Sequence, residues 1–195
     1  MTDRVALPAR AVLASGNPHK LAELGAALPE WELELLPRGD YPPEDGATYE
    51  ENARGKARFG RLHADPGTWV IGEDSGIEAA ALGGRPGVAS ARWADDGVAR
   101  LQHELAGVGD RRARYVCVMV AIDPAGRELV VTGTLEGAIS AGPPRGDEGF
   151  GYDPVFVPDG ESLTVAELGN AWKREHSHRA RAAAALASAV RERGG

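Results

Sequence analysis

The chain has 195 residues, 43% of them hydrophobic and 26% charged, an ordinary globular balance with enough apolar material for a core. That length suits one domain over 1–195, with room for two lobes. Lys and Arg number 22 against 29 Asp and Glu, a net charge of −7, which argues against general nucleic-acid or membrane binding but allows a local basic pocket for phosphate. The sequence shows neither a basic-then-apolar secretion segment nor an apolar run long enough for a bilayer, so a cytoplasmic location is expected.

In chain order, Arg10 to Ala14 reads as a short buried strand running into Ser15-Gly16-Asn17-Pro18-His19-Lys20. A helix over 18–28 follows, with Leu21, Leu24 and Leu28 as its apolar stripe and Pro18 in the first turn, where proline is tolerated. A strand, a glycine-bearing turn and a helix N-terminus make a natural anion site, because backbone N–H groups point outward there. It is not a Walker loop, since no G-x-x-x-x-G-K-S/T occurs. Trp31, Leu33 and Leu35 then alternate with Glu32 and Glu34, the period of a half-buried strand. A proline-bearing loop over 37–46 carries Glu44 and Asp45. Thr48 with Glu51 fits a capping box, and the helix behind it puts Tyr49, Ala53, Ala57, Gly60 and Ala64 on one face, small enough for close packing on a sheet. The cap explains Glu51 completely, and Lys56 on its own reads as a solvated helix lysine.

Trp69 to Ile71 form a short β-prone run that stops at Gly72 against Glu73 and Asp74. A strand ending in Glu-Asp-Ser-Gly presents acids at its carboxyl end, where open α/β sheets place their ligand crevice. Hard cations such as Mg²⁺ take carboxylates together with substrate phosphates, although Asp-Ser-Gly is also ordinary turn chemistry. The apolar stretch 77–82 leads into Gly83-Gly84-Arg85-Pro86-Gly87, a specified turn, and Val98, Leu101 and Leu105 mark an amphipathic helix. Arg114 to Ile122 is the most strand-like run; Asp123-Pro124-Ala125-Gly126 turns it back into 128–139, an antiparallel pair that implies a mixed sheet. Cys117 is the single cysteine and is expected there as a buried, inert thiol. In Gly149-Phe150-Gly151-Tyr152-Asp153-Pro154, two aromatics flanked by glycines either fill a turn or stack on a planar ligand. Lys173 precedes His176-Ser177-His178-Arg179 and an alanine-rich helix to Val190. With Ser177 as N-cap, His178 and Arg179 fall in the first turn and oppose the helix dipole, which suggests facing a ligand as readily as solvent.

The ordered set of Ser15-Gly16-Asn17 with Lys20, Glu51-Asn52-Ala53 with Lys56-Ala57, Asp74-Ser75-Gly76, Leu82-Gly83-Gly84-x-Pro86-Gly87, Ser90-Ala91-Arg92, Gly149 to Pro154 and Ser177-His178-Arg179 resembles the inosine triphosphate pyrophosphatase family, the dITP/XTP diphosphatases. The resemblance spans residues 15 to 179. It implies an α/β fold: an elongated mixed central sheet with flanking helices and two lobes around a nucleotide cleft, usually assembled as a homodimer. It also implies Mg²⁺-dependent hydrolysis of non-standard purine nucleoside triphosphates (ITP, dITP, XTP) to the monophosphate and pyrophosphate, cleansing the nucleotide pool, with no nucleic-acid or membrane partner.

Carried onto this sequence, the resemblance makes Asp74 the catalytic acid that binds metal and activates water, with Glu44 the other metal-linked acid. Ser15, Asn17 and Lys20 fall in the triphosphate loop with Lys56 nearby, Ser75 touches the nucleotide, and Phe150, Gly151, Tyr152, Asp153, Lys173, His178 and Arg179 recognise the base. Arg179, Lys173 and protonated His178 can only donate, which suits the purine O6 and N7 acceptors, and the planar Arg179 fork is expected to meet both together. The chain departs from the family pattern at Glu73, where aspartate is usual, and at Ala180, where glycine is common. The longer Glu73 is expected to alter metal reach or the geometry around it. Two other readings stay open here: a hydrolase of other modified nucleotides, and a nucleotide-binding sensor whose hydrolysis was lost through Glu73.

Overall fold

The computed structural model describes residues 10–193. The elements run β1 (Arg10–Leu13), α1 (Pro18–Ala27), β2 (Glu32–Leu35), α2 (Tyr49–His63), β3 (Trp69–Ala79), α3 (Gly97–Glu104), β4 (Arg112–Ile122), β5 (Glu128–Ile139), β6 (Phe156–Pro158), α4 (Val165–His176) and α5 (His178–Arg193). The strands form one sheet in the order β2-β1-β3-β4-β5-β6. β1 runs parallel to both β2 and β3, while β5 and β6 are antiparallel, so the sheet is mixed as the sequence implied. No helix of the described residues is long and apolar enough to cross a membrane.

The described residues group into two compact units, one of 10–74, 117–133 and 179–193, the other of 75–116 and 134–178. In the first, β1 and the start of β3 are buried and apolar on both faces, as expected where helices cover both sides of a parallel pair. Leu13, Ile71 and Met119 pack with Leu24 and Leu28 of the α1 segment and Leu186 of α5. Their strand neighbours Val12 and Val70 point the other way and pack with Leu36, Tyr41 and Phe59. The second unit has its own core, including Ile77, Leu101, Leu105, Tyr115, Phe156 and Val165.

The capping box at the start of α2 is complete: Thr48 accepts from the Glu51 amide and Glu51 from the Thr48 amide. The small face of this helix lies directly on β3. A Cβ on Gly72 would collide with the Ala53 carbonyl oxygen and stand 2.5 Å from the Ala57 nitrogen, so only glycine permits this approach.

β3 differs from the expected short run. It does not stop at Gly72 but continues to Ala79, with Glu73 and Asp74 inside it. What ends near Gly72 is the parallel partner, whose last registered pair is Leu13 with Ile71. The acids therefore sit past the end of β1 while their own backbone stays extended. α4 also holds an interruption the sequence reading lacked: Gly169 takes φ 83°, and the Glu148 carboxylate accepts from the Asn170 amide at 2.8 Å.

Gly72→Ala should lower folding stability by about 3 kcal/mol, the upper end for overpacking a close backbone contact. Urea denaturation of the purified variant checks this, and a loss under about 0.5 kcal/mol, the range of neutral surface changes, contradicts the packing argument.

Candidate active site

Successive residues of a strand face opposite sides of the sheet, and this alternation separates Glu73 from Asp74. Asp74 faces α2. Its Oδ1 meets the Lys56 Nζ at 3.0 Å and its Oδ2 accepts from the Asn52 Nδ2 at 3.0 Å. Asn52 and Lys56 are one helical turn apart and so share a face. The Asn52 Oδ1 accepts from the Gly46 amide at 2.9 Å, tying the 37–46 loop to the helix. From that loop Glu44 reaches the same Lys56 Nζ at 2.8 Å. Lys56 is 4% exposed, not the solvated lysine its position on the helix suggested. Burial alone would lower its pKa, but Asp74, Glu73 and Glu44 outweigh that and raise it. Burial pushes the Asp74 carboxyl up, against the pull of Lys56 and Asn52, and leaves it a better proton acceptor than an exposed aspartate.

Glu73 faces the other way and is fully buried. Its Oε2 pairs with the Lys20 Nζ at 2.6 Å, and its Oε1 accepts from Arg179 Nη2 at 3.0 Å and from the Cys117 thiol at 3.3 Å. Burial opposes its ionisation, but Lys20, Arg179 and Lys56 together hold the carboxyl well below the usual range. The Cys117 thiol is pushed far up by burial and by the Glu73 charge, an inert thiol as expected.

Around the N-terminus of α1, Ser15 and Asn17 serve the backbone: Ser15 Oγ accepts from the Asn17 amide at 3.1 Å, and Asn17 caps the helix by accepting from the His19 amide at 2.9 Å. Glu44 and Asp74 converge on one ammonium, and a hard divalent cation asks for one or two such carboxylates plus water and substrate oxygens, so this donor set fits Mg²⁺.

The second unit holds a separate cluster centred on Asp153. Its Oδ2 accepts from the Lys173 Nζ at 2.6 Å and the Phe150 amide at 2.8 Å, and its Oδ1 from the Tyr115 hydroxyl at 3.0 Å. The Lys173 Nζ lies 4.8 Å from the Phe150 ring centroid, within cation–π range. The His178 ring stacks on Tyr115, with centroids 4.6 Å apart and planes at 8°. Gly149 makes the loop possible: its φ is +78°, and a Cβ there would strike the Asp153 carboxylate. Gly151 has φ +64° and completes the turn, and Ser75 follows Asp74 on β3, half-buried.

Two expected base contacts take other forms. The Arg179 fork does not stand open for O6 and N7: Arg179 is 1% exposed, its Nη1 pairs with Glu23 and its Nη2 with Glu73. Tyr152 offers no stacking face, because it is buried and its hydroxyl donates to the Ser90 carbonyl at 2.9 Å.

Asn52 stood in a family motif but was given no role, and Glu23 and Tyr115 were not singled out from sequence. For Asn52 a signal existed, the i, i+4 spacing with Lys56 beside a face of small residues. Glu23 and Tyr115 act through contacts 156 and 38 residues apart in the chain, and neither contact has a local signature.

The architecture and these clusters define an α/β protein with a carboxylate–lysine site at the end of a parallel strand pair, a class suited to phosphate chemistry. The chain belongs to the Ham1 family, whose pattern it matches over residues 11–189. It is 42% identical over 200 residues to the dITP/XTP pyrophosphatase of Deinococcus deserti, covering 98% of this chain and 95% of that one. It is 45% identical over 205 residues to the dITP/XTP pyrophosphatase of Mycobacterium bovis, covering 96% and 98%. The solved Ham1 protein of Staphylococcus aureus superposes with a TM-score of 0.81 at 34% identity, covering 94% of this chain and 99% of that one.

Glu73→Gln should cost about 3 kcal/mol at neutral pH, because it takes the carboxylate from Lys20 and leaves the buried Arg179 with Glu23 alone. A carboxyl held below its ordinary value of 4.5 stabilises fully above that pH, and the contribution drains away as the pH falls through the lowered folded value. The stability gap between wild type and Glu73→Gln, followed by urea denaturation from neutral to acid pH, should therefore close on acidification. A gap that is the same at all pH values would show that the carboxylate's charge is not what matters.

Proposed function

We propose that this chain hydrolyses deaminated purine nucleoside triphosphates (ITP, dITP and XTP) to the monophosphate and pyrophosphate. The observation that carries this reading is the Lys56 ammonium held between Glu44 and Asp74 where β1 ends. The dITP/XTP pyrophosphatase names borne by its relatives support the substrate class. In this reading Lys20 and Lys56 meet the negative charges of the triphosphate, helped by the positive end of the α1 dipole beside them. Glu44 and Asp74 would hold Mg²⁺, which when bound supplies charge neutralisation on the phosphate chain. Asp74 accepts a proton from the attacking water as its oxygen bonds to phosphorus at the α–β bridge. The bridging P–O bond breaks, and pyrophosphate and monophosphate separate. Asn52 keeps the Asp74 carboxylate oriented for this transfer, and its own orientation is fixed by Gly46.

Phe150, Asp153, Lys173 and His178 form the base-recognition group, with Ser75 at the nucleotide. Lys173 and a ring N–H of His178 offer donors, which match O6 and N7 of a 6-oxopurine and leave the adenine amine unmatched. Arg179 acts by holding Glu73 and through it Lys20. The two units together make one catalytic domain, and a cytoplasmic homodimer belongs to the same proposal.

A pyrophosphate-release screen over ITP, dITP, XTP, GTP and ATP, with Mg²⁺ and with chelator, tests it. Turnover should favour the deaminated purines and stop without metal. Orthophosphate as the product, or tight ITP binding with no turnover, overturns the proposal. Asp74→Asn, nearly isosteric, should fold normally yet lose at least ~10²-fold in kcat. Near-normal turnover in a folded Asp74→Asn protein would remove Asp74 from the proton transfer.

A further inference from the structure

Tyr115 stands in the middle of the second unit's polar cluster, although no motif marks it. Two contacts, independent in kind, tie it there. Its ring lies flat on His178, with centroids 4.6 Å apart and planes at 8°. Its hydroxyl donates to Asp153 Oδ1 at 3.0 Å, while the other oxygen of that carboxylate accepts from Lys173 and the Phe150 amide. The ring also packs against Phe156, at 4.7 Å between centroids with the planes tilted by 56°. Tyr115 is 7% exposed and Asp153 is 3% exposed, so the hydrogen bond between them is shielded from water and costly to leave unmade.

From this arrangement we propose that Tyr115 is a specificity-determining positioning residue of the base site, setting the pose of His178 through its ring and occupying Asp153 through its hydroxyl. The proposal rests on reading this cluster as the base site. It has a chemical consequence for base choice. A carboxylate can only accept, and an uncommitted one would welcome an exocyclic amine, the group that distinguishes adenine and guanine from hypoxanthine. With three donors already on Asp153, the cluster presents mainly donors: the Lys173 ammonium and a ring N–H of His178. A 6-oxopurine without an amine fits such a surface. Removing the Tyr115 hydroxyl uncovers an acceptor and lets Lys173 relax with its partner carboxylate, and both changes act against the selectivity.

The test compares full-length wild type, Tyr115→Phe and Lys173→Ala, measuring kcat and KM for ITP, ATP and GTP together with thermal melting. Tyr115→Phe keeps the ring and loses only the hydroxyl. Its ITP-over-ATP and ITP-over-GTP ratios of kcat/KM should fall about fivefold to tenfold, as expected for one lost hydrogen bond, mostly through KM. A merely structural role would lower all three substrates in step, or lower melting with the ratios intact, and either result overturns the proposal. Lys173→Ala separates the two layers of argument. If it narrows the ratios and Tyr115→Phe does not, the Tyr115 role fails while the base site stands; if neither narrows them, the base site itself is elsewhere. Imidazole proton resonances give a readout apart from activity. The His178 signals, assigned by loss in His178→Ala, should keep their ring-current shift in Tyr115→Phe and lose it in Tyr115→Leu. Unshifted His178 signals in the wild type would show that the stack does not form in solution.

Discussion

A carboxylate with no exposed surface must either find cations or give up its charge, and Glu73 finds two. Lys20 and Arg179 reach it from helices far apart in the sequence, α1 and α5, while the strand itself supplies the acid. Replacing such a buried ionic group by apolar side chains is often neutral or stabilising, so its worth here lies in what it arranges. It brings the first turn of α5 onto the sheet, explains why a first turn tolerates an arginine against the helix dipole, and fixes the ammonium of Lys20 at the loop that precedes α1. A chain with net charge −7 thereby keeps positive charge at the places where a polyanion would be handled.

The opposite face of β3 depends on a steric condition. Asn52 and Lys56 can reach Asp74 only because α2 lies hard against the strand, and it lies there because Ala53, Ala57 and Gly72 leave no side chain between the two backbones. The capping box fixes where the helix begins, hence which residues face the strand. Local sequence chemistry thus reaches the site through packing.

Much of this was legible in the sequence because it depends on local rules. The capping box, the small face of α2, the alternation of β2, the hairpin turn at 123–126 and the mixed sheet all follow from spacing within a few residues. The family motifs marked Asp74, Lys56 and Glu44, which the fold brings together. What escaped was set by tertiary partners. Arg179 offers a planar fork in any sequence, and only the fold shows that Glu23 and Glu73 take it. Tyr152 sits among glycines like an exposed ring, yet the Ser90 carbonyl claims its hydroxyl. The strand end was misjudged because Gly72 reads as a terminator, whereas here it is a point of close approach inside a strand that goes on.

The adjacent acids end with opposite protonation behaviour, and the reason is register. Glu73, facing Lys20 and Arg179, is driven far toward ionisation despite full burial; Asp74, facing one lysine and one amide, is left with a raised pKa. The same strand thus holds one acid as a buried charge and leaves its neighbour the easier of the two to protonate. Because side chains alternate with a period of two, a slip of one residue in the pairing of β3 with β1 would exchange the two environments. The pairing of Ala11 with Trp69, Val12 with Val70 and Leu13 with Ile71 resists that slip, since it would turn Ile71 out of one core and Val70 out of the other. The apolar residues that precede the acids therefore decide which acid can take a proton.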